Sequence, residues 1–335
     1  MDVMEKWKKS VIHLECAADS QSLTSLSLLK LMERVDKGEI SQEEFAEKVS
    51  AGKRDLRYHG TAIFLQHDCR RYLFTARHVV YDKVAAEREL KEQEERMGGS
   101  SGLGDMILLK TAREAAANRF FSIVFRVPSL QEVLARGQRF VPQFLMNLGA
   151  GTSWSVPYTF SRPGLDLAII SLDQRDSKFA DELLTLGYIP LSMQDLSDGP
   201  SAEAADVFTV GYPAATAIVE EMTLPPAQAN WASKYSSIPT FAFGKVSMLV
   251  DERDFFWCDM SIFPGNSGGP VVENDKMVGI VSAQPTIPSD VHAAGGQQLP
   301  LVAYTRIPFG KMIKAKFIKE LLEAQIGKDK AFSRK

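Results

Sequence analysis

"FPGNSGGPVV", residues 263–272, sets Ser267 among three glycines and two prolines on the threshold of an apolar run. Glycines at 265, 268 and 269 open backbone conformations closed to other residues and let a substrate approach closely. In such a loop the N–H groups of Gly265 and Ser267 can point into one concavity, the arrangement that stabilises a developing oxyanion. The same residues satisfy G-x-S-x-G, the serine elbow of a different hydrolase architecture. That elbow runs straight into a helix and takes its Asp or Glu and then its His from further down the chain. Here Pro270 and "VVENDKMVGIV" read as strand, and the one downstream histidine is His292. The stretch therefore predicts a serine in a loop that enters a β-strand. Nucleophilic chemistry additionally needs a base and a carboxylate from elsewhere in the chain.

Upstream, one candidate for each is present. His78 in "YLFTARHVVYD" follows an apolar strand and the small or polar Thr75 and Ala76, so its imidazole sits at a strand end where it can face a cleft. A histidine satisfied within the structure gives the same local pattern. Asp166 in "RPGLDLAIISL" is a carboxylate against an otherwise apolar strand, costly unless paired or hydrogen-bonded. A solvent-facing Asp at the start of that strand is the alternative. Asp82 and Asp105 compete for the role, in charged or glycine-rich contexts that read as exposed.

Taken together, "FTARHVV", "LDLAII" and "PGNSGGPVV", in the order His, Asp, Ser, resemble the three catalytic segments of the trypsin or chymotrypsin-like serine protease superfamily. "DMSIFPGNSGGPVVENDKMVGIVSA" is most similar to bacterial and organellar peptidases of the HtrA type, and "VFTVGYPAA" and "FAFGKVSML" resemble strands of their second barrel. The resemblance runs from about residue 57 to 308, with no counterpart for residues 20–56 and 83–118. It implies a mainly β fold of two six-stranded antiparallel barrels with helical insertions and a C-terminal helix, the active site lying between the barrels. It also implies a serine endopeptidase acting through an acyl-enzyme. His78 would be the base, Asp166 the group that orients it and Ser267 the nucleophile, with the amides of Gly265 and Ser267 as oxyanion hole and with neither cofactor nor metal. The strand "GIVSAQP" would pair with the substrate backbone through Ser282, Ala283 and Gln284, and Ser261 would lie at the base of the primary specificity pocket. Without a carboxylate at that base, a small or medium uncharged side chain is expected before the scissile bond, rather than Lys or Arg.

Bulk properties agree with a globular enzyme and exclude several other classes. The 335 residues can bury a sizeable core, and a net charge of −3 gives no electrostatic reason to expect nucleic acid or an anionic membrane. No run approaches the roughly 18 apolar residues of a membrane span, and the N-terminus lacks a signal-peptide core. Cys16, Cys69 and Cys258 are odd in number and widely spread, which disfavours a disulfide framework and fits the cytoplasm. His59, His67 and Cys69 match no common zinc spacing.

Short apolar runs such as "SVIHLE", "GTAIFLQ", "RYLFTA", "DVFTVGYP" and "KMVGIVSA", punctuated by turn residues, predict strands. Helix is expected over 22–49, where Ser41 and Glu44 form a capping box, over 80–97, and in "FGKMIKAKFIKELLEAQIG", with Met312, Phe317, Leu321 and Leu322 on one face. The loop-like residues 171–206 suggest the boundary between an N-terminal unit, 1–190, and a C-terminal unit, 191–335.

Three departures from the family pattern bear on control. Asp166 follows His78 by 88 positions, so insertions must project from the first barrel, where an activating partner could bind. Asn266 stands before the serine where cleavage-activated relatives carry an aspartate, so activation by a new amino terminus is not expected. Too few residues follow "RIPFG" for a PDZ domain. The alternative function is a protease-like scaffold that binds peptides and stays inactive until a partner orders the oxyanion loop.

Overall fold

The structure is a computed structural model that describes residues 2–18, 25–52, 56–97, 103–121, 123–136, 145–146, 156–174, 177–223, 232–292 and 298–332. Strands β1 (Val11–Ala18), β2 (Leu56–His67), β3 (Arg70–Ala76), β4 (Ile123–Arg126), β5 (Leu145–Met146), β6 (Tyr158–Phe160) and β7 (Leu167–Ser171) form one antiparallel sheet. Its order is β5-β4-β1-β2-β3-β7-β6. The two-residue β5 adds an edge strand to β4, which brings this sheet to seven strands where six were expected.

These strands read as continuous apolar runs because both faces of the sheet are covered. On one face Val11, Ile63, Leu65, Tyr72, Phe74, Leu167 and Ile169 join a core shared with the C-terminal half. On the other, Ile12, Leu14, Ala62, Phe64, Leu73, Ala168 and Ile170 pack under Phe179, Ala180 and Leu183. Those last three belong to a helix, Lys178–Thr185, inside the stretch that reads as loop; its short apolar face needed the sheet beside it to be visible.

In the C-terminal half, β8 (Asp206–Gly211) is followed by β9 (Ile218–Glu221) and β10 (Tyr235–Ser237), which form a two-stranded ribbon. Next come β11 (Thr240–Leu249), β12 (Phe255–Cys258), β13 (Pro270–Glu273) and β14 (Lys276–Ala283). A second ribbon, β15 (Thr286–His292) and β16 (Gln298–Arg306), precedes β17 (Gly310–Lys314). A six-stranded barrel closes in the order β11-β12-β17-β14-β13-β8. Met312, expected on the terminal helix, lies in β17: pairing with both β12 and β14 closes the barrel there and overrides the helical pattern. The terminal helix starts at Lys316 and buries Phe317, Ile318, Leu321 and Leu322. Its Asp329, fully buried, accepts hydrogen bonds from Ser171 and Gln325 at 2.8 Å and from Tyr72 at 3.3 Å.

The expected helical insertions are present. Ser25–Asp36 and Gln42–Gly52 form helices, the second capped by Ser41 Oγ, which accepts from Glu44 N at 3.0 Å. Lys83–Met97 and Leu103–Ala117 form a helical pair joined by an Arg113–Glu94 ion pair at 3.5 Å.

Between the halves, His13 on β1 and His59 on β2 face each other at 3.2 Å, and the His13 ring stacks on Tyr212 with centroids 4.7 Å apart. Burial and the neighbouring Arg57 lower the His59 pKa to about 4, and burial with His59 alongside lowers that of His13 well below its ordinary value. Both rings are therefore neutral when folded, whereas the unfolded chain takes up protons below about pH 6.5. Stability present above pH 6.5 is accordingly lost as pH falls toward 4. For His59 alone the expected loss at pH 4.5 is about 2–3 kcal/mol. Urea titrations at pH 7 and 4.5 measure it, and His59→Gln should flatten the slope between them; an unchanged slope would refute the assignment.

Candidate active site

His78 and Asp166 meet because of strand register. β3 and β7 pair antiparallel with Ala76 opposite Leu167, so the residues just beyond, Arg77 and Asp166, leave the same end of the sheet. Arg77 N donates to Asp166 O at 3.0 Å and continues the ladder by one step. His78 then sits in a single helical turn, Arg77–Val80, while Asp166 takes a left-handed conformation, φ 54°, after the 3₁₀ turn Pro163–Leu165. Asp tolerates that conformation better than most residues. The carboxylate accepts from His78 N at 3.0 Å and lies 2.8 Å from His78 Nδ1. A carboxylate can only accept, so Nδ1 carries a proton, which leaves Nε2 of the neutral ring as an acceptor.

A third donor to this carboxylate was missed by sequence reasoning. Ser282, expected to bind substrate, donates its hydroxyl to Asp166 Oδ2 at 2.6 Å across 116 positions of chain. No local motif announces that contact. Only packing of β14 against β3 produces it.

Ser267 shares the cleft with His78. The cleft, of about 370 Å³, is lined among others by His78, Ile262, Phe263, Ser267, Ser282 and Gln284. The Ser267 hydroxyl here donates to Ser282 O at 3.4 Å, a long bond for two oxygens. Of the other expected substrate-binding residues, Ala283 lines the cleft, whereas Ser261 is exposed and outside its lining. Ile262 takes the interior position instead: it is 2 % exposed and packs on Gly310, where a Cβ would come within 2.9 Å of its Cδ1. Ile262 consequently makes this part of the cleft lining apolar.

The loop before Ser267 is held by its carbonyls. Asn266 N donates to Phe263 O, Ala214 N to Pro264 O, Thr61 Oγ1 to Gly265 O, Gly269 N to Asn266 O and Thr61 N to Ser267 O, all between 2.7 and 3.0 Å. Asn266, 2 % exposed, folds its side chain back so that Oδ1 accepts from Phe263 N at 3.0 Å. Gly268 N is taken by Val281 O. Among the described residues, the N–H groups of Gly265 and Ser267 are left without an acceptor. Because the peptide is planar and trans, anchoring Pro264 O on Ala214 turns the Gly265 N–H to the opposite side.

The helical insertion touches this site through Arg77, whose Nη2 donates to Ala117 O at 2.7 Å and whose guanidinium lies 4.4 Å from the Tyr81 ring centre. The remaining sequence candidates lie apart. Asp82 is buried and caps the helix of the insertion through Ala85 N, Asp105 is within a helix, His67 is the half-buried last residue of β2, and Cys69 is exposed in the turn after it. Among the described residues no group of three His, Cys, Asp or Glu side chains could hold a metal ion.

A model of the trypsin-like peptidase domain matches residues 60–280 of the sequence. No curated protein sequence matches it. Among solved structures, human heparin binding protein aligns at 11 % identity and a TM-score of 0.41, covering 79 % of this chain and 85 % of that one.

Proposed function

Because this chain belongs to the trypsin-like peptidase domain family, we propose that it is a serine endopeptidase that cleaves peptide or protein substrates through an acyl-enzyme, with His78, Asp166 and Ser267 as its triad. The observation that carries the reading is the 2.8 Å contact of His78 Nδ1 with Asp166, on the cleft that Ser267 also lines. In the proposed reaction His78 Nε2 takes the Ser267 proton as Oγ attacks the scissile carbonyl, and later returns it to the leaving amine. Asp166 fixes the tautomer and stabilises the imidazolium. The free amides of Gly265 and Ser267 receive the oxyanion. Asn266 supplies within the loop the anchor that a new amino terminus supplies in cleavage-activated relatives. These residues need neither metal nor cofactor.

The apolar floor at Ile262 supports a small or medium uncharged side chain before the scissile bond; dominant cleavage after Lys or Arg in a positional-scanning library would contradict it. Among the described residues no helix is long and apolar enough to cross a membrane. Free Cys16, Cys69 and Cys258 support the cytoplasm as the location, and the division near residue 190 remains part of the proposal.

Labelling by a fluorophosphonate probe tests the reading. Purified wild-type protein should label and Ser267→Ala should not. Labelling confined to host lysate would instead favour the partner-dependent scaffold, for which the Ser267 hydroxyl turned toward Ser282 O is the supporting observation. No labelling in either setting would end the protease reading.

A further inference from the structure

We propose that Arg306 is a specificity-determining residue that selects an acidic side chain, Asp or Glu, in the substrate segment lying along residues 282–284; the inference rests on the protease reading of the cleft. Among the described residues that line the cleft, His78 and Arg306 are the ionisable ones, and no carboxylate is among them. Arg306 is exposed, and its guanidinium has no carboxylate partner among the described residues. A cationic side chain at the rim of a partly apolar cleft, with no counter-charge in the described lining, attracts an anionic group from the ligand. The charge is also mounted firmly. Arg306 ends β16 opposite Thr286, Ile307 N donates to Pro285 O at 3.2 Å, and Gln284 Nε2 donates to Ile307 O at 2.9 Å. The pairing and these two bonds fix the backbone at and just after Arg306 to the segment that follows β14, so a fork of donors stands beside the strand proposed to pair with substrate.

The site differs from the pocket floor. Ile262 limits the size of the residue that enters, whereas Arg306, on the rim, reads charge. The β15–β16 ribbon that carries it is an insertion between two barrel strands, β14 and β17. Alternation along β16 places Tyr304 and Val302 on the same face as Arg306, and neither of them lines the cleft. The position of the selected acid is thus the point where the cleft passes into the ribbon.

Affinity selection of a randomised hexapeptide library on the full-length Ser267→Ala protein tests this without requiring turnover, and a cleavage assay on wild type accompanies it. Enrichment of Asp or Glu at one position is expected, and it should vanish in the Ser267→Ala/Arg306→Ala double variant. For a cleaved peptide carrying that acid, Arg306→Ala should lower kcat/KM about 10- to 100-fold and leave the Asn or Gln analogue nearly unchanged. Arg306→Glu should shift the preference to Lys or Arg. No acidic enrichment, or enrichment that survives Arg306→Ala, overturns the proposal. Acidic enrichment without cleavage or fluorophosphonate labelling supports the proposal while removing the protease reading beneath it.

Discussion

Replacing Ser267 with alanine is expected to lower peptide turnover about 10⁶-fold, the loss seen when a triad nucleophile is removed. The thermal midpoint should move by no more than about 2 °C. The second expectation comes from what the side chain touches: one hydroxyl bond to Ser282 O at 3.4 Å, while the backbone carbonyl of Ser267 stays bound to Thr61 N. Removing Oγ therefore takes the reacting atom and almost nothing structural. Asp166→Asn makes a sharper companion, with turnover expected to fall about 10⁴-fold. Asn tolerates the left-handed backbone at 166, but its N–H₂ only donates, so one amide oxygen replaces the two carboxylate oxygens that accept from His78 N, His78 Nδ1 and the Ser282 hydroxyl. The imidazole loses the group that fixes its tautomer, so kcat should fall far more than KM rises. Circular dichroism and kcat measured on the same samples separate these outcomes. Wild-type turnover in either variant would remove that residue from the mechanism.

Much of this site was legible because strand ends are local features. "FTARHVV" shows polar residues at the end of an apolar run and "LDLAII" a polar residue at the start of one, and antiparallel pairing brings that end and that start together. The glycine-rich loop was readable for a similar reason: φ values of 103° at Gly265 and 89° at Gly268 demand glycine. What stayed hidden depends on contacts between distant segments. Ser282 looks like any small polar strand residue until β14 is laid beside β3, and Ser261 loses its expected place because Ile262 turns inward beside Gly310. The terminal helix was read too long because Met312 fits an apolar helical stripe and a barrel strand equally well, and only its neighbours β12 and β14 decide between them. Asn266 was conspicuous as a departure from the family pattern, yet its use, accepting Phe263 N–H within the loop, is a matter of rotamer that sequence does not carry.

Gly265→Ala is expected to abolish the proposed activity while leaving the proposed triad in place. At φ 103° an alanine is strained, and its Cβ would collide with Tyr212 O and stand 2.9 Å from Ala214 N. Ala214 N is the donor that holds Pro264 O, so relief of the collision loosens the one bond that orients the 264–265 peptide. Rotation of that peptide carries the Gly265 N–H away from the cleft. The lost oxyanion donor alone predicts a fall in kcat of about 10²- to 10³-fold. Strain at this position adds about 1–3 kcal/mol of destabilisation, visible as a lower midpoint in urea. Thr61 resists a larger rearrangement, because its Oγ1 donates to Gly265 O and accepts from Tyr212 N, tying the loop to the N-terminal sheet. Gly104→Ala is the matched control: it lies in the first turn of the insertion helix and a Cβ there meets nothing within 4 Å, so little change in stability is expected. Fluorophosphonate labelling rates for the two variants discriminate directly, since phosphonylation of Ser267, with loss of fluoride, needs the hole whereas folding does not. A Gly265→Ala protein that labels as fast as wild type would show that Gly265 N–H does not face the reacting oxygen.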